Sequence, residues 1–229
     1  MKEVLRCKVQ HRLGVAIEGR TAGTIVVIGR QRTEEFDLAD IVRYLTHPQV
    51  RVEPHLPVPE WGLSTEGAAR ITVLAAGDAL GATSVIWSSE ERKAVESATP
   101  LATALACALH TCLDLGENDR SATGFLPPVE FEAMADAFLA NPESSVCGWE
   151  RAVDAQTRIV AAVDNVLAVS PVGDVLLVGH GAVGTLLYVH LSGAPISRQY
   201  DQPAGGGNFF SFERESRRLL HGWRPLEAL

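Results

Sequence analysis

Two apolar runs that each end in a histidine organise the hydrophobic pattern of this chain: Ile41-Val-Arg-Tyr-Leu-Thr-His47 near the front and Val175-Leu-Leu-Val-Gly-His180 near the back. Aliphatic and β-branched runs of this length are the mark of strands buried in a parallel sheet. In open α/β sheets the ligand site lies just beyond the carboxyl ends of such strands. Both histidines therefore fall where chemistry is usually done.

The pattern between them alternates strand and helix. After the first strand, Pro54, Pro57 and Pro59 exclude a helix from the loop spanning 48–62. Ser64, followed by Thr65 and Glu66, reads as an N-cap with an acidic first turn and predicts a helix to about Leu80. A strand over 84–87 follows, then a helix over 90–107 capped by Ser88 and Ser89, which Pro100 is expected to end or divide. The stretch 111–118 reads as a strand or extended segment running into a loop. Pro127 and Pro128 lead into a helix over 129–140, a loop fills 141–148, and 149–169 is a long helix with apolar Ala152, Ala155, Ile159, Val160, Val163 and Val166 at helical spacing. Gly173 and Asp174 turn the chain into the second decisive strand, a helix over 182–191 stops at Ser192-Gly193, and 204–208 is a turn before an apolar 209–212. This alternation predicts a three-layer α/β/α fold with a mostly parallel central sheet. The front is different: residues 1–38 read as an N-terminal extension, a poorly ordered arm or an appended hairpin with a short strand at 23–29, ahead of a domain at 39–229.

Composition narrows the function classes. A net charge of −8 without a Lys/Arg stripe argues against nucleic acid. No apolar run approaches the length of a membrane span and no signal-peptide core is present, so a cytoplasmic protein that does not bind membranes is expected. Cys7, Cys107, Cys112 and Cys147 lack metal-ligand spacing and read as reduced, mostly buried thiols. Gly205-Gly-Gly207 lacks the Lys-Ser/Thr of a phosphate loop and reads as a turn. His11, His55, His110, His190 and His221 have no comparable context and read as ordinary surface or core residues.

Five strings in order carry a resemblance: Thr46-His47-Pro48, Leu63-Ser-Thr-Glu-Gly67, Ser88-Ser-Glu-Glu-Arg-Lys-Ala94, Leu115-Gly-Glu117 and Gly179-His-Gly181. Over roughly 41–212 the chain resembles the histidine phosphatase superfamily, the phosphoglycerate-mutase-like fold. The resemblance implies a phosphomonoesterase that works through a phosphohistidine, on a small phosphorylated metabolite or a phosphoprotein, without metal or cofactor. His47 would be the nucleophile, His180 would stabilise the phosphoryl oxygens, and Glu117 would protonate the leaving alkoxide and later activate water, with Asp119 as its substitute. Backbone N–H groups at the helix start near Ser89 would add an oxyanion site.

Three departures shape the expected pocket. Thr46 stands for the family's first arginine and offers one hydroxyl in place of a bidentate fork. Lys93 stands for the second arginine, with Arg92 beside it, and Pro48 for the glycine after the nucleophile. The pocket should be less cationic than the family norm, and Arg51 and Arg120 are candidates to restore the missing charge. Two other outcomes stay open: a phosphomutase, or a catalytically weak or inactive member that binds a phosphorylated ligand or partner. A homodimer is compatible with the sequence and not dictated by it.

Overall fold

A computed structural model describes residues 40–229; the expected extension at 1–38, with its strand at 23–29 and Cys7, lies outside them. Six strands form one sheet: β1 Ile41–Thr46, β2 Thr83–Ser88, β3 Ala108–Thr111, β4 Asp174–Gly179, β5 Asn208–Glu213 and β6 Leu219–Pro225. They lie in the order β3-β2-β4-β1-β5-β6. β1 to β4 run parallel to one another, while β5 pairs antiparallel with β1 and β6 antiparallel with β5.

Period-two alternation sends the side chains of each strand to opposite faces. Val42, Tyr44, Val85, Val175, Leu177, Phe210 and Phe212 join one core. Leu45, Ile86, Leu176, Val178 and Phe209 join the other. The first core is closed by α3 Pro128–Ala140, α4 Ala152–Val169 and α5 Gly181–Ser192, and the second by α1 Thr65–Ala76 and α2 Arg92–Leu105. The expected α/β/α sandwich is the observed one. No described helix is long and apolar enough to cross a membrane.

Several boundaries differ from the expected ones for local reasons. Ser64 does cap α1, its hydroxyl accepting from Gly67 N, but the helix stops at Ala76 because Gly77 leaves helical geometry. α2 starts at Arg92, with Glu91 in the cap position, and passes through Pro100 unbroken. Pro100 is exposed there, so the ring meets solvent and one main-chain bond is forgone. Strand β3 precedes the expected 111–118 segment, which instead forms a 3-10 turn at Leu113–Leu115 and a loop. α4 begins three residues after Trp149, whose indole is held by Thr123 Oγ1 and whose carbonyl is held by Ser145 Oγ. β6 was not anticipated: its Gly222 and Pro225 and its mostly part-exposed side chains hide an edge strand from a pattern reading. The expectation of buried thiols also fails, since Cys147 is exposed and Cys107 and Cys112 are half-buried.

Candidate functional site

Three parallel strands end side by side, and their ends carry the site. Thr46 is in register with Gly179, and Ser88 with Val178. The next residues extend the ladder: His47 N donates to Gly179 O at 3.0 Å and Ser89 N to Val178 O at 3.0 Å. Registration of β1, β4 and β2 thus delivers His47, His180 and Ser89 to one place. The two imidazoles stand with ring centroids 5.2 Å apart, edge to face. Tyr44, from the centre of β1, holds the second of them: its hydroxyl donates to His180 O and accepts from His180 N, each at 3.1 Å. Gly179 is required here, because a Cβ on it would lie 2.4 Å from that hydroxyl.

Both rings are neutral at ordinary pH. Burial pushes His47 down to about 4, with the nearby charges of Lys93 and Arg120 adding to the shift and the bond to Pro48 opposing it. Burial likewise carries His180, fully buried, well below the usual histidine value, against the pull of Glu91. His47 Nδ1 lies 2.8 Å from Pro48 O. A carbonyl can only accept, so Nδ1 carries the proton and Nε2 the lone pair. His180 Nε2 lies 2.8 Å from Ser89 Oγ and 3.4 Å from Glu91 Oε1, while its Nδ1 has no partner among the described residues.

Lys93, on the first turn of α2, is 2 % exposed. Its ammonium donates to Val58 O at 3.0 Å and pairs with the Glu91 carboxylate. The other oxygen of Glu91 accepts from Glu117 N at 2.9 Å. Burial alone would raise Glu91, but His180, Lys93 and the Glu117 N–H outweigh it and bring the carboxyl to about 2. The Glu117 carboxylate turns to the start of α5, accepting from Val183 N at 3.1 Å and Ala182 N at 3.3 Å, directly after His180. Its loop is pinned by Arg158 of α4, whose guanidinium donates to the carbonyls of Asp114, Gly116 and Glu117 and pairs with Glu150.

The remaining sequence candidates have other partners. The Thr46 hydroxyl is buried and consumed in joining β1 to β5: it donates to Gln202 Oε1 at 2.8 Å and accepts from Asn208 N at 3.0 Å. Arg51 is 62 % exposed and paired with Glu53. Arg92 is paired with Glu96. Arg120 lies over the rings of Phe131 and Trp149, at 5.1 and 5.7 Å, and of the two candidate replacements it is the one whose charge reaches both histidines. Asp119 is exposed and bound to Ser121 N, whose hydrogen bond holds its carboxyl below the usual range. A cavity of about 1190 Å³ opens beside this centre, and Val58, Ser89, Glu91, Arg92, Glu117 and Arg120 are among its walls.

Glu91, Arg158, Tyr44 and Asn118 escaped the sequence reading. The one sequence signal at Glu91 is its place inside the Ser88-Ser-Glu-Glu-Arg-Lys-Ala94 string. Asn118 lines the same cavity, is buried, and has neither amide atom bonded among the described residues.

Fold and site together define an α/β protein built around a pair of neutral histidines flanked by a lysine. The family model for the histidine phosphatase superfamily (branch 1) matches residues 54–221, and the chain belongs to that superfamily. Membership supports phosphatase-type or mutase-like activity. No curated protein sequence matches the chain significantly. Among solved structures the chain is similar to mycobacterial glucosyl-3-phosphoglycerate phosphatase, at TM-score 0.63 and 20% identity over 81% of this chain and 96% of that one. It is also similar to the YhfR protein of Bacillus stearothermophilus, at TM-score 0.66 and 20% identity over 80% and 94%. At such identity the likeness is one of fold.

Proposed function

We propose that the protein is a metal-independent phosphomonoesterase that passes the phosphoryl group through His47. The observation that carries this reading is the pair of neutral imidazoles 5.2 Å apart at adjacent strand ends, with His47 Nε2 left as the free lone pair. Nε2 attacks phosphorus in line, the N–P bond forms, and the P–O bond to the leaving group breaks. Glu117, held beside His180 by the first amides of α5, acts in its protonated form: it gives its proton to the departing alkoxide and is left as the carboxylate; exposed Asp119 is the weaker candidate. Water then attacks phosphorus, its proton goes to the carboxylate, and the electron pair of the N–P bond returns to His47. His180 and Lys93 stabilise the charge that collects on the equatorial oxygens. A small phosphorylated metabolite or a phosphoprotein is the proposed substrate. Transfer to an acceptor hydroxyl in place of water would make the same machinery a mutase.

A second reading, an inactive member that binds phosphorylated ligands, draws support from the Glu91 carboxylate already paired with Lys93. The two readings separate on hydrolysis of an aryl phosphate by the wild type and by His47→Ala, both with chelator present. Turnover by the wild type, loss in the variant and an acid-labile phosphoprotein intermediate are the expected results. Absence of turnover in both selects the inactive binder, and loss of wild-type turnover on chelation overturns the metal-free mechanism.

A further inference from the structure

An ammonium, a main-chain N–H and an imidazole all address one carboxylate in this site. Glu91 pairs with Lys93 Nζ, accepts from Glu117 N at 2.9 Å and stands 3.4 Å from His180 Nε2. Such a convergence of cationic and neutral donors is what an oxyanion subsite consists of. The occupant comes from the chain itself. Glu91 forms part of the wall of the 1190 Å³ cavity, whereas Lys93 and His180 are buried. A rotation of the Glu91 side chain toward the cavity would uncover Lys93 and leave the backbone of α2 in place.

We propose that Glu91 is an internal stand-in for the substrate's phosphoryl group, occupying its subsite in the resting protein and turning out into the cavity when substrate binds. The inference rests on the phosphatase reading above and adds a determinant of specificity to it. One set of donors cannot serve a carboxylate and a phosphoryl group together, because the two anions would stand within a few ångströms of each other in a poorly solvated site. Ligand binding is therefore an exchange. A phosphate monoester carrying two negative charges displaces a singly charged carboxylate from Lys93, and a singly charged diester gains nothing from the exchange. Arg120 is a further cation on the wall of the same cavity. Sequence similarity alone hides this device, since Lys93 reads as a free cation until its partner two residues before it is seen.

Calorimetric titration with inorganic phosphate tests the proposal on the wild type, Glu91→Gln, Glu91→Leu and the double variant Glu91→Gln/Lys93→Met. Both single variants should bind phosphate at least tenfold more tightly than the wild type, and the double variant should lose the gain. Unchanged or weaker binding in both single variants overturns the proposal. If wild-type protein hydrolyses an aryl phosphate and the variants still gain nothing, the stand-in role falls and the phosphatase reading survives. If no form binds phosphate and the wild type is inert, both fall. Should the variants fail to fold, a wild-type crystal soaked in phosphate decides: Glu91 turned away from Lys93 supports the exchange, and phosphate bound with the Glu91–Lys93 pair intact overturns it.

Discussion

Tyr44 grips the backbone of His180 from the neighbouring strand, its hydroxyl donating to the carbonyl and accepting from the amide at 3.1 Å each. Because Tyr44 lies three residues before His47 on β1, this one side chain couples the position of the second histidine to the strand that carries the first. Tyr44→Phe removes the partner of a buried amide, which costs roughly 1–3 kcal/mol, and it loosens the imidazole pair. Urea denaturation should show that loss. Turnover of an aryl phosphate should fall about 10- to 100-fold, as misplaced catalytic groups do; full activity would show that the grip is only structural.

Glu117 has two tasks in the proposed mechanism, capping α5 and moving a proton. Glu117→Gln keeps an acceptor for Val183 N and removes the proton transfer. Turnover of an alkyl phosphate should drop about 10²- to 10⁴-fold, whereas a nitrophenyl phosphate, whose leaving group needs no proton, should lose far less. Equal losses on both substrates would assign Glu117 to the cap alone.

Stability should depend on pH through the two paired histidines. His47 has a folded value of about 4 against an ordinary 6.5, so the unfolded chain binds the extra proton first. The stabilisation is complete above about 6.5 and is lost as pH falls toward 4; at 1.36 kcal/mol per pH unit it reaches up to about 3 kcal/mol. His180 acts in the same direction. Thermal melts between pH 7 and 4 should show a falling Tm, and His47→Asn should flatten the curve. An identical slope in that variant would remove His47 from the account. Glu91, held at about 2, adds a separate loss below about 4.5.

Thr46→Val tests whether the residue beside the nucleophile meets substrate. Its hydroxyl joins β1 to Asn208 and Gln202, so the variant should lose about 1–3 kcal/mol of stability with phosphate affinity unchanged. A marked fall in phosphate affinity at intact stability would instead place the hydroxyl in the pocket.

Asn118 carries a buried amide with no partner among the described residues and faces the cavity. Replacing an unsatisfied polar group by an apolar one of similar size is neutral to stabilising. Asn118→Leu should therefore keep or raise Tm while KM for a phosphate monoester rises several-fold. An unchanged KM would show that the amide does not meet the ligand.

The two histidine-ended strands, the alternation that makes three layers, the Ser64 cap and the Lys93 position at the head of α2 are all legible along the chain. Each of these is written in local chemistry: strand periodicity, a hydroxyl before a helix, a β-branched run. Tertiary structure alone decided the rest. The 5.2 Å between His47 and His180 depends on the register of β1 against β4. The bond of Thr46 to Asn208 depends on an antiparallel strand that begins at a residue the pattern assigns to a turn. The capture of Lys93 by Glu91 depends on a buried arrangement in which a loop amide, a histidine and an ammonium close on one carboxylate. Spacing along the chain names the groups that a site can use, but partners and protonation follow from burial and from contacts made between distant segments, which no local pattern encodes.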